Sequence, residues 1–309
     1  DTKRKSYYGS EMDPNAYGRT SDLTVASGGQ YIHSFDRLLF MPSEMTGGLE
    51  YNYNRLHDVT IGYNHDSKQC VNIYSGYFQN EWRDDRWGFL IGARADKHSL
   101  IDHLIVSPRA NIRYNPTNNL NLRLSFSTGF RSPQAYDEDF HVAVVGGERV
   151  ITVLAPDLKE ESSQSISASA DYNVTIGSVQ TNFTLEGFYT NLDDVFVLRQ
   201  LDEPDAEGNA VLERCNGDGA RVYGMSLEAM AVLPFGMQIQ AGATLQRSRY
   251  KKPEYWSEDP DVPPVRNLFR TPDIYGYATV SYKPVNPLTL ALSGNFSGPM
   301  TVQHLVGSG

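Results

Sequence analysis

Between Leu120 and Phe126 the chain reads LNLRLSF, with Leu120, Leu122, Leu124 and Phe126 alternating against Asn121, Arg123 and Ser125. The same two-residue period runs through MQIQAGATLQ, where Met237, Ile239, Ala241, Ala243 and Leu245 oppose Gln238, Gln240, Gly242, Thr244 and Gln246. It recurs in VQTNFTLEGFY, where Val179, Phe183, Leu185 and Tyr189 oppose Gln180, Asn182, Thr184 and Glu186. Successive side chains of a strand point to opposite faces, whereas a helix would repeat every three to four residues, so all three windows are strands. The pattern predicts an all-β chain with strands at 22–35, 45–57, 70–82, 87–98, 104–115, 120–131, 160–173, 178–190, 220–233, 237–250, 272–283 and 288–298. Several reach the roughly 9–11 residues with which a tilted strand crosses a bilayer, well above the mode of about 5–6 for soluble strands.

The connections fall into two classes. Tight ones are Asp84-Asp85-Arg86, Pro116-Thr117-Asn118-Asn119, Thr175-Ile176-Gly177, Pro234-Phe235-Gly236 and Val285-Asn286-Pro287. Long polar ones occupy 58–69, 132–159, 191–219 and 251–271 and mostly take turns with the tight ones along the chain. Each strand has one apolar and one polar face. Strand pattern alone fits either a soluble barrel with its core inside or a membrane barrel with a wet lumen. Long strands and one-sided loops favour the membrane barrel, whose turns are short on the periplasmic side and long outside.

Composition sharpens this picture. Among 309 residues, 40% are hydrophobic and no apolar run is long enough for a membrane helix. The 19 Tyr outnumber 13 Phe and 3 Trp, which suits an interface with one apolar and one wet side. Net charge is −10 without a basic tract, which argues against nucleic acid as a partner. Cys70 and Cys215 are too few for a disulfide scaffold and lack metal-site spacing. His57, His65, His98 and His103 fall near predicted loops without ligand spacing, so no metal site is expected. Acidic clusters at Asp137-Glu138-Asp139, Asp202 to Glu207 and Glu258 to Asp261 contain no calcium loop and read as solvated charge. No nucleophile elbow, Cys/His pair or phosphate-binding glycine loop is present, so no catalytic residue and no cofactor is assigned.

Three stretches in order resemble the TonB-dependent receptors of Gram-negative outer membranes. The strand 120–131 running into STGFRSPQAYDEDFH is similar to that family's Phe/Tyr-Arg-Ala-Pro element, with Phe130, Arg131 and Pro133 in place and Ser132 for Ala. APDLKEESS resembles the Asn-Pro-Asp/Asn-Leu-x-Pro-Glu element, keeping Pro156 and Leu158 but departing at Ala155 and Glu160. NGDGARVYGMSLEA resembles the Gly-x-Glu-x-Glu strand, with Gly224 and Glu228 retained and Ser226 for the first Glu. Val145 to Glu148 and Arg270 to Tyr282 look closest to Bacteroidetes members.

The resemblance implies an antiparallel transmembrane β-barrel, present over residues 1–309 as a partial barrel of about twelve strands, with the family's N-terminal plug and last strands absent. It also implies energy-coupled uptake of an iron-siderophore, haem or cobalamin at the cell outer membrane, with lipid around the wall and the TonB energy-coupling protein acting through the plug. A passive porin and an outer-membrane hydrolase are the competing readings. Loop position and side-chain type make Tyr136, His141, Tyr250, Tyr255, Trp256 and Arg266 candidate ligand contacts. The resemblance allows His141 an axial-ligand role if the ligand is haem. Phe130, Arg131 and Pro133 read first as a structural device, with proline ending the ladder and arginine bonding loop backbone.

Overall fold

A computed structural model describes residues 2–7, 17–60, 65–134, 143–145, 148–201, 203, 210–255 and 263–302. The wall consists of β1 (Thr2–Tyr7), β2 (Tyr17–Leu38), β3 (Met41–Thr60), β4 (His65–Arg83), β5 (Trp87–His98), β6 (Ile105–Thr117) and β7 (Leu120–Arg131). Within the long connection that follows lie β8 (Ala143–Val145) and β9 (Glu148–Leu154), after which β10 (Glu161–Ile176) and β11 (Val179–Asp193) continue the wall. The next connection holds β12 (Phe196–Gln200) and β13 (Ala210–Asn216), and β14 (Ala220–Val232) and β15 (Met237–Glu254) return to the wall. Short β16 (Val265–Asn267) pairs with the end of β15, and β17 (Ile274–Val285) and β18 (Leu288–Ser297) complete the sheet.

Wall neighbours are antiparallel and follow chain order from β1 to β18, with β8, β9, β12 and β13 set apart in a second, four-stranded sheet. All twelve strands expected from alternation are present, and β1 is added. Antiparallel order sends alternate connections to opposite rims. One rim carries only the short turns near residues 39, 85, 118, 177, 235 and 286, and the other carries every long connection. Tight geometry at the short-turn rim has a visible cause at Asp84, whose carboxylate accepts the amides of Arg86 at 2.8 Å and Trp87 at 2.6 Å. Those backbone bonds hold its carboxyl below the usual aspartate range. The stabilisation is therefore present at neutral pH and lost only under conditions more acidic than an ordinary aspartate titrates.

Register keeps the two faces chemically distinct across the wall. Leu122 lies beside Ala170, and the same row continues through Leu185, Leu227, Ala243, Gly276 and Phe296. One residue along, Asn121 starts a row of Asp171, Thr184, Glu228, Gly242, Tyr277 and Asn295. A one-residue slip would exchange the rows, so apolar patterning fixes the pairing. The apolar face is exposed, with Leu49 at 72% and Leu292 at 77%, the inverse of a water-soluble core. Near the short turns this face gathers aromatic rings. Trp87 lies 4.2 Å from Tyr114 and 5.7 Å from Phe89, Phe40 lies 5.8 Å from Trp82, and Arg86 sits 5.4 Å over Tyr114. Trp82 donates its indole N–H to the carbonyl of Leu38. Such a belt places amphipathic rings where hydrocarbon meets headgroups.

Three expected loops are corrected. The segment 58–69 is mostly strand, because β3 and β4 stay paired up to Thr60 opposite His65. The segments 132–159 and 191–219 are not bare loops either. Their strands form the order β12-β13-β9-β8, with β9 and β13 parallel from Val150 opposite Ala210 to Leu154 opposite Arg214. Backbone groups raised beyond a membrane still need partners, and pairing with one another satisfies them.

Candidate functional site

The polar face and the loop sheet define the site. Cross-strand pairing puts Glu50, Ser75 and Asp96 in one row of β3, β4 and β5. Ser75 donates to Asp96 at 2.6 Å, and Arg94 bridges Asp96 at 2.9 Å and Glu50 at 2.7 Å. Asp96 is almost fully buried, and the Arg94 guanidinium and Ser75 hydroxyl supply its carboxylate with partners. Arg109, Arg113 and Arg123 continue on the same face of β6 and β7, with Arg113 directly opposite Arg123. A polar recess of about 440 Å³ lies beside Glu50, between Gln30, Asn52 and Tyr77.

At the loop rim a second cavity of about 750 Å³ lies between the start of β4 and the end of β9, lined by Asp66, Lys68, Cys70, Pro133, Val153 and Pro156. The loop sheet is seated on the wall by a small core of Ala155, Val195, Val197, Cys215 and Ala220, with Leu158, Leu192, Tyr250 and Leu268 packed against it. Ala220 and Tyr250 belong to the polar-facing alternation of β14 and β15, so the loops lie on the polar side of the wall. Together these features offer a large, hydrogen-bonding concavity with a cover. Such a concavity suits the binding of a hydrogen-bonding ligand.

The motif residues form the anchors. Pairing of β7 with β10 stops at Arg131 opposite Glu161, and Ser132 and Pro133 follow, both buried. The Arg131 guanidinium lies 5.3 Å from the Phe196 ring centroid, and Arg214 lies 6.0 Å from the same ring. Ser132 donates to Gln134 at 2.9 Å, and His98, fully buried, contacts the same amide oxygen at 3.2 Å. Pro156 sits in the turn closed by the Leu158 amide on the Ala155 carbonyl. At Gly224 a side chain would strike the carbonyl oxygen of Leu245 on the next strand, so glycine is what permits that close pairing. Glu228 stands on the polar face, opposite Thr184 and Gly242.

Of the six candidate contacts, Tyr250, Tyr255 and Arg266 fall on described residues. Tyr136, His141 and Trp256 lie outside the described residues, as do most of the acidic clusters. Tyr250, expected on a loop, is a strand residue packed at 6.5 Å against Phe269. Tyr255 is 71% exposed at the end of β15, and Arg266 is exposed on β16. Among the described residues no group of three His, Cys, Asp or Glu could hold a metal. Sequence reasoning passed over the Arg94–Asp96–Glu50 network, although GARADKH, Gly92 to His98, alternates Arg94, Asp96 and His98 against Ala93, Ala95 and Lys97.

Both cysteines are free, Cys70 exposed and Cys215 buried. Burial pushes the Cys215 thiol above its usual range, so little thiolate is present at neutral pH. A maleimide probe at pH 7.5 is expected to label Cys70 in the folded receptor and to reach Cys215 only after denaturation. Two labels at once, or none, counts against this placement.

The family model described as TonB dependent receptor-like, beta-barrel matches residues 2–305. Among solved structures, the siderophore receptor PirA from Pseudomonas aeruginosa superposes with a TM-score of 0.65 at 15% identity, over 91% of this chain and 49% of that one. The ferric-catecholate import receptor Fiu from E. coli K12 gives 0.65 at 12%, over 95% and 48%. The ferric enterobactin receptor PfeA from Pseudomonas aeruginosa gives 0.64 at 17%, over 93% and 43%. A search of curated proteins finds no match. The chain thus spans about half or less of the length of these receptors, and at such identities the likeness is one of fold. An open, antiparallel wall with exposed apolar rows, short turns on one rim and a loop sheet over its polar face is a partial barrel, and the chain belongs to the TonB-dependent receptor-like β-barrel family.

Proposed function

We propose that this chain supplies wall, lumen face and capture rim to an outer-membrane receptor of a Gram-negative bacterium that takes up a scarce nutrient by TonB-coupled transport. The family match across residues 2–305 carries this reading. The polar face under a docked loop sheet supports it, because a ligand caught at the rim meets hydrogen-bonding side chains along its path. The ligand class is a small metal chelate, an iron-siderophore or haem, or cobalamin. PfeA is solved with enterobactin, and FrpB from Neisseria meningitidis is an iron transporter. In this reading the receptor is a transporter and not an enzyme, and energy arrives from the TonB protein through a plug. A strain lacking the gene is expected to lose growth on one chelated iron source or on cobalamin and to keep it on the others. His141→Ala should reduce uptake only if that source is haem. Unchanged growth on every defined source, with unchanged ligand uptake, would reject the reading.

A further inference from the structure

Strands β14 and β15 leave the apolar band together. Tyr223, Met225 and Leu227 on β14 and Ile239, Ala243 and Leu245 on β15 share the apolar face. The same alternation, continued toward the loop rim, reaches Arg221 on β14 and Arg247 and Arg249 on β15. The opposite alternation at that height reaches Ala220 and Tyr250, which are held in the core beneath the loop sheet. The loops therefore cover the polar side, and three arginines stand on the side that carries the apolar rows. Met237 to Leu245 spans roughly 26 Å along the strand at about 3.3 Å per residue, which at a tilt of about 40° is about 20 Å of height and takes up most of an apolar band about 25 Å tall. The arginines begin one alternation step beyond it, at headgroup depth.

Charge at this place is poorly balanced. Arg221 and Arg249 are directly opposite in the ladder, an arrangement that destabilises a sheet when nothing compensates. Among the described residues Arg221 has no side-chain hydrogen bond or ion pair. Arg247 and Arg249 share one carboxylate, Asp273, at 2.5 and 3.7 Å. The neighbouring lysines are already matched, Lys251 with Asp193 and Lys252 with Asp218. Among the described residues, three arginines against Asp273 leave a local excess of two positive charges, in a chain of net charge −10. Further down the same face Ala229, Ala241, Ala278 and Gly294 open an apolar recess of about 590 Å³ that Leu227 and Ala243 border. From Arg247 to Ala243 is roughly 13 Å along the strand at about 3.3 Å per residue, within the length of an acyl chain.

We propose that Arg221, Arg247 and Arg249 bind the phosphate of an outer-leaflet glycolipid headgroup, with one acyl chain lying along Leu245 into the recess. Planar guanidinium groups match phosphate oxygens bidentately, and a phosphate between Arg221 and Arg249 removes their repulsion. The site rests on the outer-membrane orientation proposed above, with the loop rim facing outward.

The test uses the full-length receptor in dodecyl maltoside with bisphosphorylated lipid A as probe, bound lipid being counted by native mass spectrometry. The triple variant R221Q/R247Q/R249Q is expected to bind lipid A about a hundredfold more weakly, each arginine near an anionic surface contributing a factor of about five. Lysine at all three positions should restore only part of the binding, because an ammonium supplies the charge without the bidentate fork, and Arg109→Gln on the polar face should leave it unchanged. Lipid A stripped of its phosphates should not distinguish wild type from the triple variant, and millimolar inorganic phosphate should not displace the lipid. Equal lipid A binding by wild type and triple variant overturns the site, as does an equal loss in Arg109→Gln or displacement by free phosphate. Heat-modifiable gel mobility is read in the same samples. Its absence in the wild type rejects the membrane-barrel reading, whereas normal mobility with undiminished lipid binding rejects the site alone.

Discussion

Leu124→Arg in the full-length receptor is expected to destabilise the membrane-inserted barrel by about 2–4 kcal/mol, the cost of arginine on a lipid face near the bilayer midplane. Leu124 lies midway along the apolar positions of β7, 45% exposed, between Ile112 on β6 and Ala168 on β10. Ile239 shares that face but stands two residues from the start of β15, close to the short turn. Its replacement by arginine should therefore cost only about 0–1 kcal/mol, since the penalty falls toward the interface. Gln238 is its neighbour at the same depth on the opposite face, in line with Val232 and Ser281, and Gln238→Arg should be milder than Ile239→Arg. Reversible unfolding from lipid vesicles measures all three. A wall whose polar face met lipid would reverse the order of Gln238 and Ile239, and equal effects at Leu124 and Gln238 would mean that neither face meets lipid.

The wall was legible because a bilayer imposes one simple rule on every strand that crosses it. Side chains alternate between hydrocarbon and a wet interior, so the period of two survives from Leu120 to Phe126 and from Met237 to Leu245 without interruption. Outside the membrane that rule lapses. Residues 58–60 and 65–69 remain in a ladder, but their side chains are mostly polar, and a stretch such as HDSKQ then looks like a turn. The loop sheet was hidden for another reason. Its strand ERVITVL, Glu148 to Leu154, finds its parallel partner about sixty residues downstream, from Ala210 to Arg214, and nothing local announces such a pairing. The site was legible to the same extent: Arg94 and Asp96 follow the alternation of β5, whereas the seating of Phe196 beside Arg131 depends on where a distant strand lands.

Val197→Asp is expected to release the loop sheet while leaving the wall standing. Val197 is 7% exposed and packs with Ala155, Val195, Cys215 and Ala220 in the small core that seats the sheet. An unpaired carboxylate there costs about 3–5 kcal/mol. That offsets much of what so few side chains supply, since each fully buried valine contributes about 1.5–3 kcal/mol and alanine less. The wall keeps its own ladders from β1 to β18, none of which runs through β12 or β13. Heat-modifiable mobility should therefore stay normal, limited proteolysis should cut between Phe196 and Asn216, and ligand uptake should fall sharply. Deleting Gln134 to Val153 with a short Gly/Ser bridge should give the same phenotype, because it removes β8 and most of β9 and leaves β13 without its parallel partner. If either change abolishes the barrel, the loop sheet is part of what holds the wall together. If Val197→Asp leaves both protease resistance and uptake intact, this core does not seat the loops and the ligand is caught elsewhere on the rim.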